Sequence, residues 1–409
     1  MLSKRLMQLL RMSRSLGVRA VLMTLLALAS VFLTPLFEPL IPQALIDRLG
    51  QEAVLPVLTI LASSMLAVTT FSLGVMVQAF QSASSQATPR AYRILMQDGT
   101  TQTVLATFVG AFLFSLTAIV MFRADIYGPA SSVVIFAMTI FVIAAIILAI
   151  LRWIGHLSKL GSMDHILSLV EDSARAPLVA LSSYPALGAV PHSHAERAPP
   201  NAVEVIAPYS GYVQFIDMPS LNEKLAEAGA RLWLLAAPGT YVVKGDRIAL
   251  LNIEGDHLAK KVAKHFTFGK TRSLEQDARF GLMVLAEIGT RALSPGINDP
   301  GTAIDVIHRL LNLLSGCKCP DTDPPRFDRV IALQVSAEDL LGDAFDVLSR
   351  DGAGRVEILT QINKALDRLA KNDWPEMAKA AQEKKTYVRE QAQSGITVGP
   401  DREKVGLAD

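Results

Sequence analysis

The sequence predicts an all-α membrane domain of four helices followed by an α+β region. Charge distribution and hydropathy carry this prediction. No charged residue falls within 20–37, 53–89, 99–122 or 126–151, and a helix needs about 20 apolar residues to cross the hydrocarbon core. Backbone polar groups in lipid must be satisfied internally, so such segments are helices or part of a closed barrel. None of them alternates apolar and polar residues with period two, which excludes strands. Most of the charge lies in the second half of the 409-residue chain, although the net charge of the whole is +1.

The first span is expected over 19–40, after a basic segment (1–18) that carries Lys4, Arg5, Arg11 and Arg14. A basic start before an apolar run also describes a signal peptide, but this run exceeds the usual h-region of about 7–15 residues. It is therefore read as an uncleaved span. The other spans are expected over 53–80, 99–122 and 131–152, completing a membrane domain of 19–152. Arg90, Arg93, Arg152 and Lys159 join the basic N-terminus on one side, and the opposite loops hold Arg48 and Arg123. The richer side is cytoplasmic by the positive-inside rule. Both termini are then expected in the cytosol of a bacterium, with the protein multi-pass in its inner membrane.

Beyond the spans, a helical connector and Pro-rich linker is expected over 153–200 and a β-module over 201–270. A mainly helical module follows over 271–375, then an exposed helix and disordered tail over 376–409. In the β-module, Val203, Val205, Tyr212, Val213 and Phe215 read as strand residues, and Val242, Val243, Ile248 and Leu250 repeat the pattern. The two halves look similar to biotinyl and lipoyl carrier domains, with Gly211 and Gly245 at tight turns. A carrier needs a lysine on an exposed hairpin. Lys224 instead falls in a stretch that reads as helical, so an unmodified structural module is expected, with no cofactor.

In the helical module, Ser273 and Gln276 read as a capping box that starts a helix running to about Leu293. The 294–302 segment then breaks the chain, and Asp299 caps the next helix with Pro300 in its first turn. Asn298 is not the cap, so alanine there is expected to cost little. A strand is expected over about 329–335, followed by a helix opened by Ser336.

Two sets of residues stand out as candidates for function. On the second span, Thr59, Ser63, Thr70, Gly74, Gln78, Gln81 and Ser85 share an arc of about 100°. Such an arc either packs against another helix, as small and hydroxyl residues do in lipid, or lines an aqueous path. Ser64, Thr69 and Ser72 lie off it. In the C-terminal half, Arg279, Glu287, Arg291, Asn298, Asp299 and Asp305 cluster around the 294–302 break. They are read either as a well-capped turn or as a ligand or subunit contact. His192 and His194, with Cys317 and Cys319, could in principle form a Cys2His2 metal site. Single-residue spacing within each pair and their separation in sequence argue against it, and no metal is expected. No ionisable residue lies deep in a span, which argues against a proton pump. The balanced charge supplies no argument for nucleic acid, and no nucleophile–base or phosphate-loop pattern points to an enzyme.

Three strings resemble one family: 84–90 (SSQATPR), 211–217 (GYVQFID) and 292–303 (ALSPGINDPGTA). It is a family of bacterial predicted membrane proteins known only as a domain of unknown function. The resemblance runs from the first span to about Ala370 and implies the four-span layout and an inner-membrane location. It implies no activity and no catalytic residues. The reading that results is a homo-oligomeric, channel-like membrane protein with a cytosolic gating region, its partners the lipid bilayer, copies of itself and an ion or ligand. The alternative is a membrane-anchored sensor or scaffold.

Overall fold

The computed structural model describes residues 51–127 except 97, 131–192 except 158, and 197–407 except 254–255 and 321–323. It also describes positions 17, 18, 21, 25, 29 and 42–46. The expected first span over 19–40 therefore lies almost wholly outside the described residues. The chain divides into two compact units. One contains the described residues up to His165 except Ala87–Ala91; the other contains Ala87–Ala91 and the described residues from Ile166 onward.

The first unit is built on three long helices, α1 (Gln51–Gln86), α2 (Gly99–Arg123) and α3 (Ser131–Leu157). All three are long and apolar enough to cross a membrane, over Glu52–Ser82, Gly99–Arg123 and Ser131–Leu157. Helix α2 packs against both α1 and α3. Leu61, Met65, Val104, Phe108, Ile146 and Trp153 fill one layer between them, and Val54, Leu58, Phe114, Phe122 and Ile135 fill another. Ser72, Ser115 and Thr139 are buried in the same unit, as small and hydroxyl side chains are where helices associate in lipid through close packing with little hydrophobic drive.

Asp98 starts α2. Its carboxylate accepts from the Thr101 amide at 2.9 Å and hydroxyl at 2.7 Å, and from the Thr100 amide at 3.4 Å. His156, near the end of α3, brings Nε2 within 3.0 Å of the same carboxylate. Burial works against the Asp98 charge, but the His156 and Thr101 hydrogen bonds outweigh it and hold this carboxyl well below the usual range.

The second unit begins with α4 (Met163–Ser183), which starts in the first unit and continues into this one. Two sheets follow. Strands β1 (Ala189–Pro191), β2 (Val203–Ile206), β4 (Leu232–Leu234), β6 (Arg247–Leu251) and β8 (Phe327–Ala332) form a mixed sheet in the order β1-β8-β4-β6-β2. The pairs β1/β8 and β8/β4 are parallel, and the others are antiparallel. Strands β3 (Gly211–Ile216), β5 (Tyr241–Val242) and β7 (Phe266–Gly269) form a second, antiparallel sheet in the order β5-β3-β7. Val205, Ile216, Leu221, Leu232, Ile248 and Val330 are among the buried side chains that join the sheets to α5 (Met218–Glu227).

The larger sheet takes β1 and β8 from outside the 201–270 segment. Both are short pieces whose partners are remote in sequence, so local pattern says nothing of their pairing. Gly211 has φ +153°, and a Cβ there would sit 2.7 Å from the Gly269 carbonyl oxygen, so the β3–β7 approach requires glycine. Lys224 lies on α5, paired with Glu227.

After α6 (Asp256–Ala263) and β7 the fold is helical: α7 (Ala278–Leu293), α8 (Pro300–Ser315), α9 (Ala337–Asp351), α10 (Val356–Leu369), α11 (Pro375–Gly395) and the short α12 (Gly399–Lys404). The expected capping box at Ser273 and Gln276 does not start α7. Asp277 caps that helix, accepting from the Phe280 amide at 3.1 Å. Gln276 instead docks on β3, donating to the Ile216 carbonyl at 3.0 Å and accepting from the Ile216 amide at 2.8 Å. Its amide satisfies both backbone groups of Ile216 on the central strand of that sheet, and that tertiary use displaces the local cap. The expected cap at Asp299 and the helix opened by Ser336 are both present, the latter as a capping box with Asp339.

Candidate functional site

A polar groove of about 570 Å³ lies between α7 and α9 in the second unit, with Lys384 of α11 also lining it. Helix α7 presents Arg279, Met283, Ala286 and Glu287 to it, spaced so that they fall on one face. Helix α9 presents Asp339, Gly342, Asp343, Asp346, Val347 and Arg350 at the same kind of spacing. Met283, Ala286 and Val347 are apolar lining residues. Arg279 is held by two carboxylates: Nη1 lies 2.9 Å from Asp339 Oδ1, and Nη2 donates to Asp343 Oδ1 at 3.1 Å. The Asp343 hydrogen bond stabilises the charged guanidinium and pushes Arg279 further up, against the cost of its burial. Lys384 Nζ donates to Asp346 at 2.6 Å. Five acidic and three basic side chains line the groove, and four of the carboxylates already meet cations: Asp339 and Asp343 with Arg279, Asp346 with Lys384, and Glu287 with Arg90.

Glu287 links the groove to the chain next to α1. Ala87–Ala91 follows α1 directly in sequence yet belongs to the second unit. Ala87 and Ala91 are fully buried, and Arg90 pairs with Glu287 Oε1. The other Glu287 carboxylate oxygen is buried without a hydrogen-bond partner among the described residues.

The structure distributes the six candidates of the C-terminal half over three places. Arg279 and Glu287 line the groove. Arg291, Asn298 and Asp299 belong to the end of α7 and the turn that follows it. There Asn298 and Ile297 donate their amides to the Ser294 carbonyl at 2.8 and 3.1 Å, and Asp299 accepts from the Thr302 amide at 3.1 Å and hydroxyl at 2.5 Å. Those bonds hold the Asp299 carboxyl below its ordinary value. Asp305 belongs to a third cluster: it pairs with Arg309 at 3.1 Å, whose guanidinium also meets Glu171 of α4 at 3.0 Å. Asn312 donates to the same Glu171 at 2.6 Å.

The expectation for Asn298 is revised. Its φ is +52°, and its side-chain oxygen accepts from Arg355 Nη2 at 2.8 Å. Asparagine is among the few residues that adopt this left-handed conformation readily, and it costs other L-residues about 1–2 kcal/mol. Asn298→Ala should therefore destabilise the second unit by about 1–2 kcal/mol, and Asn298→Gly should recover most of that. Chemical denaturation of the three proteins checks this; equal stabilities of the alanine and glycine variants would contradict it.

On α1, Thr59, Ser63, Thr70, Gly74, Gln78 and Gln81 all lie on the exposed face of the described helices. The Ser85 side chain lies outside the described residues. Thr59, Ser63 and Thr70 bond back to the carbonyls of Leu55, Ile60 and Leu66 at 2.9–3.0 Å. Of the off-arc residues, Thr69 and Ser72 are buried and Ser64 is exposed. Cys317 is buried, and burial pushes its thiol up to about 11, while Cys319 is exposed. His192 is exposed and His194 lies outside the described residues. Among the described residues no group of three His, Cys, Asp or Glu side chains is placed to hold a metal.

Asp339, Asp343, Asp346, Arg350 and Lys384 escape sequence reasoning as site residues. On paper they are the ordinary charged faces of amphipathic helices, and no local spacing distinguishes a face that closes a groove from one that meets solvent.

Three apolar spanning helices joined to a mixed sheet and a helical layer define a multi-span membrane protein with a large α/β region. The chain belongs to the family described as Predicted membrane protein (DUF2254), whose model matches residues 13–368. It is similar to uncharacterized proteins of Mycobacterium tuberculosis and Mycobacterium bovis, 29% identical over 266 residues in each case. The match covers 62% of this chain and 50% of each relative, so the chain spans about half the length of the curated relatives it matches. No solved structure matches it.

Proposed function

We propose that this is a homo-oligomeric, channel-like protein of the bacterial inner membrane, in which α1 faces an aqueous path shared between subunits. The supporting observation is the placement of the α1 arc. The space between α1, α2 and α3 is filled by apolar side chains, while Thr59, Ser63, Thr70, Gly74, Gln78 and Gln81 point away from it. Among the described residues the space between α1, α2 and α3 leaves no room for a path, and exposed glutamine amides in a spanning helix want water or a protein partner.

The second unit regulates the path in this reading. Ala87–Ala91 ties the end of α1 to Glu287 on the wall of the charged groove, so a cation entering the groove and the Arg90 guanidinium draw on one carboxylate. The lysine and arginine bias of the sequence puts both termini and this unit in the cytosol. The small sheets serve as a structural module, similar in pattern to biotinyl and lipoyl domains, with nothing attached to Lys224.

The competing reading is a membrane-anchored sensor or scaffold. Its support is the back-bonding of the Thr59, Ser63 and Thr70 hydroxyls, which satisfies them without water. Cysteine accessibility separates the two. In a background with Cys319 replaced by serine, cysteines at Ser63, Thr70 and Gln78 should each react with a membrane-impermeant methanethiosulfonate in the assembled protein. Size analysis in mild detergent should give several copies. Protection at all three positions, or a monomer, would reject the shared path.

A further inference from the structure

A second cavity, of about 620 Å³, opens between α2 and α3 inside the membrane unit. Thr103 and Val104 line it from α2, and Ala145, Leu148, Ala149 and Arg152 line it from α3. It follows α2 from Gly99 to Thr107, a length of roughly 12 Å at 1.5 Å per residue. One end therefore lies at the edge of the spans and the other well inside the hydrocarbon. The volume is in the range of small-molecule sites, about 300–1,000 Å³.

The chemistry changes along its length. At depth Val104, Ala145, Leu148 and Ala149 present alkyl walls, and the Thr107 hydroxyl there is spent on the Thr103 carbonyl at 2.9 Å. The small side chains of Ala145 and Ala149 leave the space, and Leu148 is 61% exposed beside it. At the outer end stands Arg152, which is exposed and carries no ion pair among the described residues. The α2 N-terminus contributes little attraction for an anion, because Asp98 already accepts from the Thr100 and Thr101 amides. The positive charge at the mouth is therefore the guanidinium. A slot with alkyl walls in a spanning surface, ending on a cation that has no ion pair among the described residues, suits an amphipathic anion.

We propose that this groove binds an anionic phospholipid, one acyl chain lying along Val104, Ala145, Leu148 and Ala149 and the phosphate paired with Arg152. Arginine suits the phosphate because its planar fork can donate two hydrogen bonds at once. The proposal rests on the membrane-spanning helices and stands whether or not α1 lines a path.

The full-length protein in mild detergent, titrated with dioleoyl phosphatidylglycerol or dioleoyl phosphatidylcholine and followed by native mass spectrometry, tests it. Wild type should bind the first phosphatidylglycerol in clear preference to phosphatidylcholine. Arg152→Gln should reduce that preference about fivefold, the factor one basic residue contributes next to anionic lipid. Arg152→Lys should retain most of it. Ala149→Phe, which fills the slot, should lower the uptake of both lipids. An undiminished preference in Arg152→Gln would overturn the proposal, and because that side chain is exposed the variant keeps its fold. A change of copy number in Ala149→Phe with lipid uptake intact would also overturn it, by making the groove an interface with another helix.

Discussion

Asp277→Ala should destabilise the second unit by about 3–5 kcal/mol, the usual cost of removing one partner of a buried ion pair. The Arg272 and Asp277 side chains are 16% and 3% exposed. The pair is bidentate, with Arg272 Nε to Asp277 Oδ2 at 2.7 Å and Nη2 to Oδ1 at 2.8 Å. Asp277 also caps α7 through the Phe280 amide, and Arg272 stacks on the Phe280 ring at 5.2 Å. Alanine removes the cap and leaves the guanidinium buried without its counter-charge. Burial pushes the Asp277 carboxyl above its ordinary value despite the arginine, so the pair adds little net stability over an apolar replacement; the loss comes from breaking it one-sidedly. Arg272→Met combined with Asp277→Ala should therefore be milder than Asp277→Ala alone. Gly239 is part of the same arrangement, since a Cβ there would fall 2.3 Å from Asp277 Oδ2. Denaturant unfolding followed through Trp233 and Trp374, both buried in this unit, provides the measurement. A loss below about 1 kcal/mol, the size of a helix cap alone, would show that the pair is not desolvated.

Phe345→Ala should cost about 3–5 kcal/mol, as large-to-small changes of buried aromatic residues do. Phe345 is fully buried on α9, the helix that carries Asp339, Asp343 and Asp346 into the groove. Its removal leaves a cavity behind that wall, and the groove should loosen with it. Phe345→Leu should recover more than half of the loss, because most of the volume returns. Hydrogen exchange across α9 should rise in the alanine variant. Unchanged exchange together with a small stability loss would mean that neighbouring side chains close over the gap.

Much of the fold is legible in the sequence because it is written locally. The uncharged runs place α1, α2 and α3 to within six residues at each end, since lipid admits little besides helices there. Asp299 and Ser336 announce α8 and α9 through side chains that bond amides two or three positions away. Ser273 and Gln276 carry the same signal and are misread, because Gln276 finds a better partner on β3. Asn298 looks replaceable until its positive φ and its bond to Arg355 are seen.

The sequence by itself determined that this is a spanning membrane protein with a mixed C-terminal region, because hydropathy and charge are properties of each segment alone. Its long 292–303 string also pointed to the family. Only the tertiary structure decided that β1 and β8 complete a sheet and that the α1 arc points outward. It also decided that Arg279 and Glu287 share a groove while Asp305 meets Arg309 and, through it, Glu171 elsewhere, and that Arg152 has no ion pair among the described residues at a slot in the spans. The reason is physical: each of these facts depends on which faces of distant segments meet. A charged helix face or a short strand has the same local pattern whether it ends against water, lipid or protein.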